Sequence, residues 1–464
     1  MQQPPETLVA KLEQFNQTHL LGFWDELDAA ARESLVAQIE SIDFEQLKSL
    51  TSGSHDDGDD NRQDRAALPS NLVIAESDEN SAAWAAARDR GNAALAAGRV
   101  GVILVAGGQG TRLGFPHPKG MYPIGPVSGH PLFQILVEQV IARSKACGKS
   151  IPYYVMTSDA THAETVAFFK ENNFFGLDES CVHFFTQGNM PAVDGVTGNV
   201  LLSEKHSIAR SPDGHGGMLQ ALSTSGLLSK MAADGIDLLY YHQVDNPTAI
   251  VADPAFIGFH LEYESELSTK VVRKVSPTEK MGVIVDVDGA LQIIEYSELT
   301  PEQAAREDAD GNWIFWAGNM AIHMFGREFL ERTTAAGLPF HLAKKNVPFV
   351  DATGTSQKPD DPSAPNAIKF ERFIFDALPL AKNALVVEAD RNREFNPVKN
   401  REGNDSPETS KAALIRIARE WLEASGHTVA ADAVVEISPL AALCAADVQK
   451  QSETDIQGEL FVGA

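Results

Sequence analysis

Glycines and two cations stand close together in one stretch of the chain, VAGGQGTRLGFPHPKGMYPIG, which runs from Val105 to Gly125. The apolar run 100–104 comes directly before it and is typical of a buried strand. Glycine permits positive φ angles and carries no side chain that would keep a ligand away from backbone N–H groups. A strand, a glycine turn and then a helix commonly offer such groups to a phosphate. The stretch therefore predicts a phosphate-binding loop in which Arg112 and Lys119 supply positive charge.

Three kinds of phosphate-binding loop compete for this pattern. A P-loop requires Ser or Thr after its lysine, but Gly120 follows Lys119. The dinucleotide fingerprint requires a third glycine where Leu113 stands, and no acidic residue ends a second strand at the required distance. The remaining interpretation is a mononucleotide loop, in which one cation holds a terminal phosphate and the other neutralises charge that develops during transfer.

Motifs along nearly the whole chain resemble those of one enzyme family. GGQGTRLG and PKGMY are similar to the signature of the eukaryotic-type UDP-N-acetylhexosamine pyrophosphorylases, which belong with the UDP-glucose and UDP-sugar pyrophosphorylases. Further segments match the family in order: HLLGFWDEL, QGNMPA (187–192), SPDGHGG (211–217), VDNP (244–247), ADPAFIGF (252–259), PTEKMGVI (277–284), EYSEL (295–299), FWAGNMAIH (315–323), PNAIKFERFIFD (365–376), NPVKN (396–400) and EISPL. The resemblance implies a uridylyltransferase that makes UDP-sugar and pyrophosphate from UTP and a sugar 1-phosphate, reversibly.

In the implied reaction, an oxygen of the sugar phosphate attacks the α-phosphorus of UTP in line with the departing pyrophosphate. Because the attacking phosphate is already anionic, catalysis requires positioning and charge neutralisation rather than a strong general base. The resemblance implies that Arg112, Lys119 and Lys399 are catalytic and that Asp245 binds Mg²⁺ or Mn²⁺. By itself, Asp245 after an apolar strand is equally consistent with a metal ligand at a sheet edge and with an Asx-turn.

The resemblance also implies residues for the base and for the sugar. Gln187 and the backbone at Gly214 map onto uracil-reading positions, where an amide matches the donor and acceptor of the base. Phe373 and Phe375 would form an apolar wall, although their spacing is equally typical of core residues. The nucleotide-binding set is Val105, Gly107, Gly108, Gly110, Thr111, Gln187 and Gly214, and the sugar-binding set is His215, Gly282, Glu295, Asn319, Phe373 and Phe375.

His215 departs from the family pattern. The acetylhexosamine enzymes usually have asparagine here, in P-D-G-N-G-G, whereas histidine is common in the UDP-glucose and UDP-sugar enzymes. Because Glu295, Asn319 and the phenylalanine pair fit an acetylhexosamine pocket, we expect N-acetylglucosamine 1-phosphate to be the substrate. A UDP-glucose, UDP-galactose or broad-specificity UDP-sugar pyrophosphorylase is the alternative. A non-catalytic nucleotide-sugar-binding protein would not need all four charged residues that the resemblance assigns to the phosphates and the metal.

Strands that alternate with helices must position these residues. Apolar runs predict strands at 100–106, 152–158, 182–187, 237–245 and 269–275. Helical apolar spacing fills 130–148 and 162–173 between them. This alternation predicts an α/β fold with a doubly wound, Rossmann-like sheet, and Asp288-Gly289 between two alternating runs predicts a hairpin that makes the sheet mixed.

Three domains are predicted along the chain. Residues 1–98 form a helical N-terminal region, with an acidic run at 55–64 that is typical of a solvated linker. Residues 99–391 form the nucleotidyltransferase domain. Residues 392–464 form a small C-terminal domain with one clear helix, SPETSKAALIRIAREWLEASG, and a short strand, VVEISPL.

Composition limits the partners. With 38 Lys and Arg against 64 Asp and Glu residues, the formal net charge is −26, which argues against a nucleic-acid partner. No apolar run approaches the length of a membrane span, so we expect no membrane partner. The three cysteines form neither a disulfide framework nor a metal-binding pattern, and the N-terminus lacks a signal-peptide pattern. We therefore expect a cytoplasmic enzyme whose partners are UTP, sugar 1-phosphate, UDP-sugar and pyrophosphate.

Overall fold

The computed structural model describes residues 3–52, 61–361, 363–448 and 455–463, so most of the acidic run lies outside the described residues. The α-helices are α1 (Glu6–Gln14), α2 (Ala29–Glu40), α3 (Phe44–Ser52), α4 (Arg62–Arg65), α5 (Ser81–Ala96), α6 (Leu132–Cys147), α7 (Asp159–Glu171), α8 (Met218–Thr224), α9 (Leu227–Ala233), α10 (Pro254–Glu262), α11 (Pro301–Ala304), α12 (Arg327–Ala336), α13 (Arg391–Glu394) and α14 (Pro407–Ala424). The strands are β1 (Leu72–Val73), β2 (Val100–Val105), β3 (Tyr153–Thr157), β4 (Val182–Thr186), β5 (Asn189–Pro191), β6 (Val193–Asp194), β7 (Leu202–Glu204), β8 (Ser207–Ile208), β9 (Arg210–Pro212), β10 (Leu238–Gln243), β11 (Leu267–Arg273), β12 (Val283–Val287), β13 (Ala290–Ile294), β14 (Ala317–Gly326), β15 (His341–Lys345), β16 (Phe349–Val350), β17 (Ser356–Gln357), β18 (Ala367–Glu371), β19 (Ala384–Glu388), β20 (Thr428–Val429), β21 (Val434–Ile437), β22 (Asp455–Ile456) and β23 (Glu459–Val462).

The chain divides into two compact units, each assembled from separate segments. The small unit comprises Met1–Asn61, Gln187–Met218 and Leu338–Ile374, and the large unit comprises Arg62–Thr186, Leu219–Gly337 and Phe375–Ala464. These units combine distant segments, whereas the three domains expected from the sequence are each contiguous. The domain boundaries near 98 and 391 therefore stay a prediction.

A mixed sheet of ten strands forms the centre of the large unit, in the order β1-β19-β11-β14-β10-β2-β3-β4, with the β12–β13 hairpin joined to β14. Strands β10, β2, β3 and β4 run parallel to one another, and β14 runs antiparallel to β10 and β11. All residues of β2 except its last are buried, as expected for a strand whose two faces are both covered. The predicted mixed α/β sheet is confirmed.

The predicted hairpin is also confirmed. Val287 pairs with Ala290, so Asp288 and Gly289 alone connect β12 to β13. Both connecting residues have positive φ, 54° and 86°. Two consecutive positive φ angles are what a type I′ turn requires, and Asp-Gly is a preferred sequence for it.

Helices α5 and α10 pack against each other with their backbones in contact. A Cβ atom added to Gly91 would lie 1.8 Å from the carbonyl oxygen of Pro254, and one added to Gly258 would lie 1.8 Å from that of Ala87. Glycine is therefore required at both positions by close approach rather than by φ. Trp84 and Phe256 extend from these helices into the main core of the large unit.

In the small unit, Leu12, Leu35 and Ile39 of the N-terminal helices pack with Phe370 in one apolar core. Three helices, α1 to α3, form residues 6–52, with breaks between α1 and α2 and between α2 and α3. The Asp28 carboxylate accepts the Ala31 N–H (2.8 Å), and the Asp43 carboxylate accepts the Gln46 N–H (2.9 Å). Each aspartate caps the start of a new helix, a signal that apolar spacing does not contain.

The predicted C-terminal helix is α14, and the predicted strand is β21, which pairs in parallel with β23. Among the described residues, no helix is both long enough and apolar enough to cross a membrane.

Candidate active site

The glycine loop follows the carboxyl end of β2 as predicted, but it does not open an α-helix. Its tip, Thr111–Leu113, is a single 3₁₀ turn that ends at Gly114 with φ 72°. Pro116 and Pro118 come next, and α6 begins only at Leu132. A left-handed glycine ends the turn and the prolines lack the N–H groups that a helix would need, so the loop extends to the helix predicted at 130–148, which is confirmed as α6.

Two other glycines of the loop differ in what they allow. A Cβ on Gly110 would lie 2.8 Å from the Phe115 carbonyl oxygen, so the fold of the loop excludes a side chain there. A Cβ on Gly108 would have no atom within 4 Å, and Gly108 does not have positive φ. Neither packing nor backbone conformation therefore requires glycine at 108.

The loop folds back on itself and brings Lys119 beside its start. The Gly110 N–H donates to the His117 carbonyl (2.8 Å), and the Lys119 N–H donates to the Gly108 carbonyl (3.1 Å). Within the described part of the chain, no backbone N–H of 107–109 or 111–112 donates a hydrogen bond. These groups and the exposed Arg112 side chain are therefore available to an anion.

Lys119 and Asp245 form a pair at the carboxyl edge of the sheet. The Lys119 Nζ lies 3.5 Å from the Asp245 Oδ2, and the two side chains are only 18% and 14% exposed. Asp245 follows β10, whose end is tied to the end of β2 by the Val244 N–H donating to the Val105 carbonyl (3.1 Å). The structure thus brings together the strand-end carboxylate and the loop lysine that the sequence singled out.

The NPVKN segment reaches the same edge. The Val398 N–H donates to the Asp245 carbonyl (2.7 Å), and the Asn396 N–H donates to the Asn246 side chain (3.2 Å). The turn after Asp245 is held by Asn246, which accepts a hydrogen bond from the Thr248 hydroxyl (3.0 Å). Asn246 thus links the turn after Asp245 to the NPVKN segment.

Asp405 is a residue of this edge that sequence reasoning missed. Its carbonyl accepts the N–H groups of Lys399 (2.7 Å) and Asn400 (2.9 Å), which shapes the loop that carries the lysine. Burial raises the pKa of the Asp405 carboxyl, Lys399 and Arg391 oppose that rise, and Asp245 adds to it. The sequence around Asp405 contains no recognisable motif, so only its contacts in the folded chain identify it as part of this edge.

Three of the predicted sugar residues come together elsewhere in the large unit. The Asn319 N–H donates to the Gly282 carbonyl (2.9 Å), and a Cβ on Gly282 would lie 2.7 Å from the Glu295 Oε1. The Asn319 side chain accepts the Ala321 N–H (2.9 Å), which fixes its orientation. Phe375 is buried at the start of the 3₁₀ helix Ile374–Leu380.

The predicted uracil residues lie in the small unit. Gln187 is buried next to Gly188, whose carbonyl accepts the Asp213 N–H (2.9 Å). Gly214 has φ 83°, and a Cβ there would lie 2.4 Å from the Arg372 carbonyl oxygen. The glycine at 214 is therefore required by the fold, and its backbone stays close to the Gln187 segment.

His215 lies in a stack of three rings in the small unit. Its ring centroid is 5.5 Å from that of Phe373, which is 4.6 Å from that of His341. The Ile374 N–H donates to the His215 Nδ1 (3.2 Å). Burial, with a smaller contribution from His341, lowers the pKa of His215 to about 4. The imidazole is therefore neutral at physiological pH, with its proton on Nε2; no motif pointed to His341.

A mixed α/β sheet with a glycine loop at the carboxyl ends of its parallel strands is an architecture in which α/β proteins bind nucleotides. Residues 56–436 match the UTP–glucose-1-phosphate uridylyltransferase family, and the chain belongs to that family.

Relatives of known name extend over most of the chain. UDP-N-acetylhexosamine pyrophosphorylase-like protein 1 of Homo sapiens is 37% identical over 438 residues, covering 90% of this chain and 85% of that protein. The UDP-N-acetylglucosamine pyrophosphorylase of Saccharomyces cerevisiae is 37% identical over 450 residues, covering 91% of this chain and 92% of that protein. The crystal structure of the Trypanosoma brucei UDP-N-acetylglucosamine pyrophosphorylase in complex with inhibitor shares the fold, with a TM-score of 0.82 at 24% identity, covering 100% of this chain and 99% of that one.

Proposed function

We propose that this protein transfers the uridylyl group of UTP to N-acetylglucosamine 1-phosphate, forming UDP-N-acetylglucosamine and pyrophosphate, and that it does so in the cytoplasm. The observation that carries the proposal is the Lys119–Asp245 pair, with 3.5 Å between Nζ and Oδ2, beside a glycine loop whose N–H groups at 107–109 donate no hydrogen bond to any described residue. One cation, one carboxylate and backbone donors at one sheet edge suit a triphosphate and its metal.

Different residues of the large unit would bind different phosphate groups. The N–H groups of 107–109 would hold the triphosphate, with Arg112 and Lys119 against the β- and γ-phosphates. As the bond between the α-phosphorus and the pyrophosphate breaks, negative charge moves onto the leaving group, and the two cations would stabilise it. Lys399 would bind phosphate near Asp245, since the Val398 N–H of the NPVKN segment donates to the Asp245 carbonyl.

The residues present fit a magnesium ion, with manganese as its substitute. Among the described residues no three His, Cys, Asp or Glu side chains cluster to form a complete protein site. Mg²⁺ requires no such cluster, because one or two carboxylates suffice when phosphates and water complete its shell. Asp245 would hold the ion, which would supply charge neutralisation at the α-phosphate.

In the large unit, Gly282, Glu295, Asn319 and Phe375 would recognise the sugar 1-phosphate. His215 and Phe373, which stack on each other in the small unit, stay sugar-binding candidates through the resemblance. His215, whose imidazole is neutral, stands where the resembled acetylhexosamine enzymes usually have an asparagine. Histidine at this position is common in the resembled UDP-glucose and UDP-sugar enzymes. His215 is therefore the observation that favours the second candidate, a UDP-glucose, UDP-galactose or broad-specificity pyrophosphorylase.

The test is pyrophosphate release from UTP with a panel of sugar 1-phosphates: N-acetylglucosamine, N-acetylgalactosamine, glucose and galactose. The proposal predicts the highest kcat/KM with N-acetylglucosamine 1-phosphate. Highest kcat/KM with glucose or galactose 1-phosphate would instead establish the second candidate. Absence of pyrophosphate release with every sugar would contradict both.

A further inference from the structure

Asp213 is a buried carboxylate that the proposed chemistry does not use. It stands in the PDGHGG segment of the small unit, directly before Gly214, and is 5% exposed. Its Oδ1 has no hydrogen-bond partner within the described part of the chain. A buried carboxylate without full hydrogen bonding is costly, so its retention requires an explanation.

Two glycines make room for this carboxylate. A Cβ on Gly217 would lie 2.0 Å from the Asp213 Oδ1, and a Cβ on Gly188 would lie 2.6 Å from its Oδ2. Neither glycine has positive φ, so backbone conformation does not require them. Each is glycine because the carboxylate occupies the space where its side chain would be.

The electrostatic surroundings do not explain the position of Asp213. Arg372 is the charged group that faces it, but the Arg372 Nε has no hydrogen-bond partner among the described residues. The Arg372 guanidinium instead lies over the Phe340 ring, 3.9 Å from its centroid. Burial outweighs the attraction of Arg372 and raises the pKa of Asp213 to about 6. The Asp213 carboxylate is therefore tightly packed against backbone, but its hydrogen bonding is incomplete.

The two glycines belong to the segments assigned to the uracil base. Gly188 follows Gln187, and Gly217 closes the turn that begins at Gly214, whose carbonyl accepts the Gly217 N–H (3.0 Å). The Asp213 N–H also donates to the Gly188 carbonyl (2.9 Å). The backbone of Asp213 thus joins the two segments, and its side chain fills the space between them.

We propose that Asp213 is a positioning residue for UTP: its carboxylate group, inserted between the backbones of Gly188 and Gly217, sets the separation between Gln187 and Gly214. The inference rests on the proposed function, since it requires these residues to bind uracil. Asp213 itself need not touch the nucleotide. Its size, more than its charge, is what the two segments require.

The test measures UTP binding by calorimetry, with Mg²⁺ and without sugar phosphate, together with steady-state kinetics. Asp213→Ala removes the inserted group and is expected to raise the Kd for UTP roughly tenfold or more, with kcat at saturating UTP unchanged. Asp213→Asn keeps the size and is expected to bind UTP like the wild type. Asp360→Ala, at an exposed aspartate of the same unit, is the matched control.

A second pair of variants tests the same spacing from the glycine side. Gly217→Ala must displace the carboxylate and is expected to share the UTP defect. Gly195→Ala is its control, because a Cβ there would meet no atom closer than 3.4 Å. This pair decides the question if Asp213→Ala does not fold.

Three results would overturn the proposal, and they differ from one another. Folded Asp213→Ala with the UTP affinity of the wild type would show that Asp213 does not position the site. Equal loss in Asp213→Asn and Asp213→Ala would show that charge rather than size matters. Wild-type protein that does not bind UTP would overturn the proposed function itself.

Discussion

The Lys119 ammonium lies 3.5 Å from the Asp245 carboxylate although the two residues come from different loops at the same edge of the sheet. The Lys119 N–H donates to the Gly108 carbonyl, which positions Lys119. The Asp245 carbonyl accepts the Val398 N–H, which positions Asp245. Both side chains are largely shielded from water, so the charges are already neutralised by each other before a ligand binds. When a triphosphate and its metal bind, Lys119 would pair with a phosphate and Asp245 with the metal, in place of their pairing with each other.

Asp245→Asn removes the carboxylate and keeps its shape. We expect turnover to fall on the order of a hundredfold or more, because neutralisation by a bound metal contributes several kcal/mol to such a transition state. Thermal unfolding should show a folded protein, and Asp310→Asn, at an exposed aspartate of the same unit, should keep wild-type turnover. Near-normal activity of Asp245→Asn at saturating Mg²⁺ would rule out the metal assignment.

Arg112→Ala removes an exposed cation at the tip of the glycine loop. We expect a lower kcat with little change in melting temperature, because the lost interaction acts on the transition state. Lys145→Ala, which removes an exposed cation at the end of α6, should change neither quantity. A variant at Arg112 that unfolds readily but keeps its turnover per folded molecule would make Arg112 a structural residue.

Gly108→Ala and Gly91→Ala separate ligand approach from packing. At Gly108 a Cβ would have open space, so we expect an unchanged melting temperature and a higher KM for UTP. At Gly91 a Cβ would lie 1.8 Å from the Pro254 carbonyl oxygen, so we expect a loss of stability of about 1–3 kcal/mol or more. The assignment of the loop fails if Gly108→Ala has the UTP affinity and kcat of the wild type.

His215→Asn restores the residue usual in the acetylhexosamine enzymes. We expect the ratio of kcat/KM for acetylated over unacetylated sugar phosphates to rise. The rise should correspond to a difference of roughly 1–3 kcal/mol in transition-state binding, as for one altered pocket contact. The KM for UTP should change little. Equal changes for both classes of sugar would show that His215 does not select at the 2-position.

The buried His242 should make stability depend on pH. It is 1% exposed, and burial lowers its pKa to about 3, whereas the unfolded chain has a value near 6.5. Between these values the unfolded state binds more protons, so the free energy of unfolding falls as the pH is lowered from about 6.5 towards 3, by about 1.4 kcal/mol per pH unit for this one residue.

His242→Gln removes that titrating group and leaves the other buried histidines in place. Urea unfolding between pH 7 and pH 5 should therefore show a shallower loss of stability in the variant than in the wild type. An identical slope in the two proteins would mean that His242 is not buried in neutral form.

The parts of the fold that the sequence predicted are those fixed by local patterns. Apolar runs with sharp ends predicted β2, β3, β4 and β10, and Asp288-Gly289 predicted the hairpin, because a type I′ turn favours those residue types. Helical apolar spacing at 130–148 likewise predicted α6, which begins only after the prolines that follow Gly114.

The parts that the sequence did not predict depend on contacts between distant segments. Nothing local marks Asp405 or His341, since each acquires its surroundings from another part of the chain. Asp213 lies in the SPDGHGG motif, but its contact with Gly188 appears only in the folded chain. The two compact units are likewise assembled from separated segments, which contiguous patterns cannot indicate. The glycines at 91 and 217 follow the same rule, because the atoms that exclude their side chains become neighbours only in the folded chain.

The central claim is uridylyl transfer, and the fate of the UTP phosphorus atoms tests it most directly. The enzyme would be incubated with N-acetylglucosamine 1-phosphate and UTP carrying a radioactive label at either the α- or the γ-phosphorus. The account predicts that the α-label is recovered in UDP-N-acetylglucosamine and the γ-label in pyrophosphate, and that Asp245→Asn slows both. Recovery of the γ-label as orthophosphate or on the sugar would contradict it, because the bond broken would then not be the one between the α-phosphorus and the pyrophosphate.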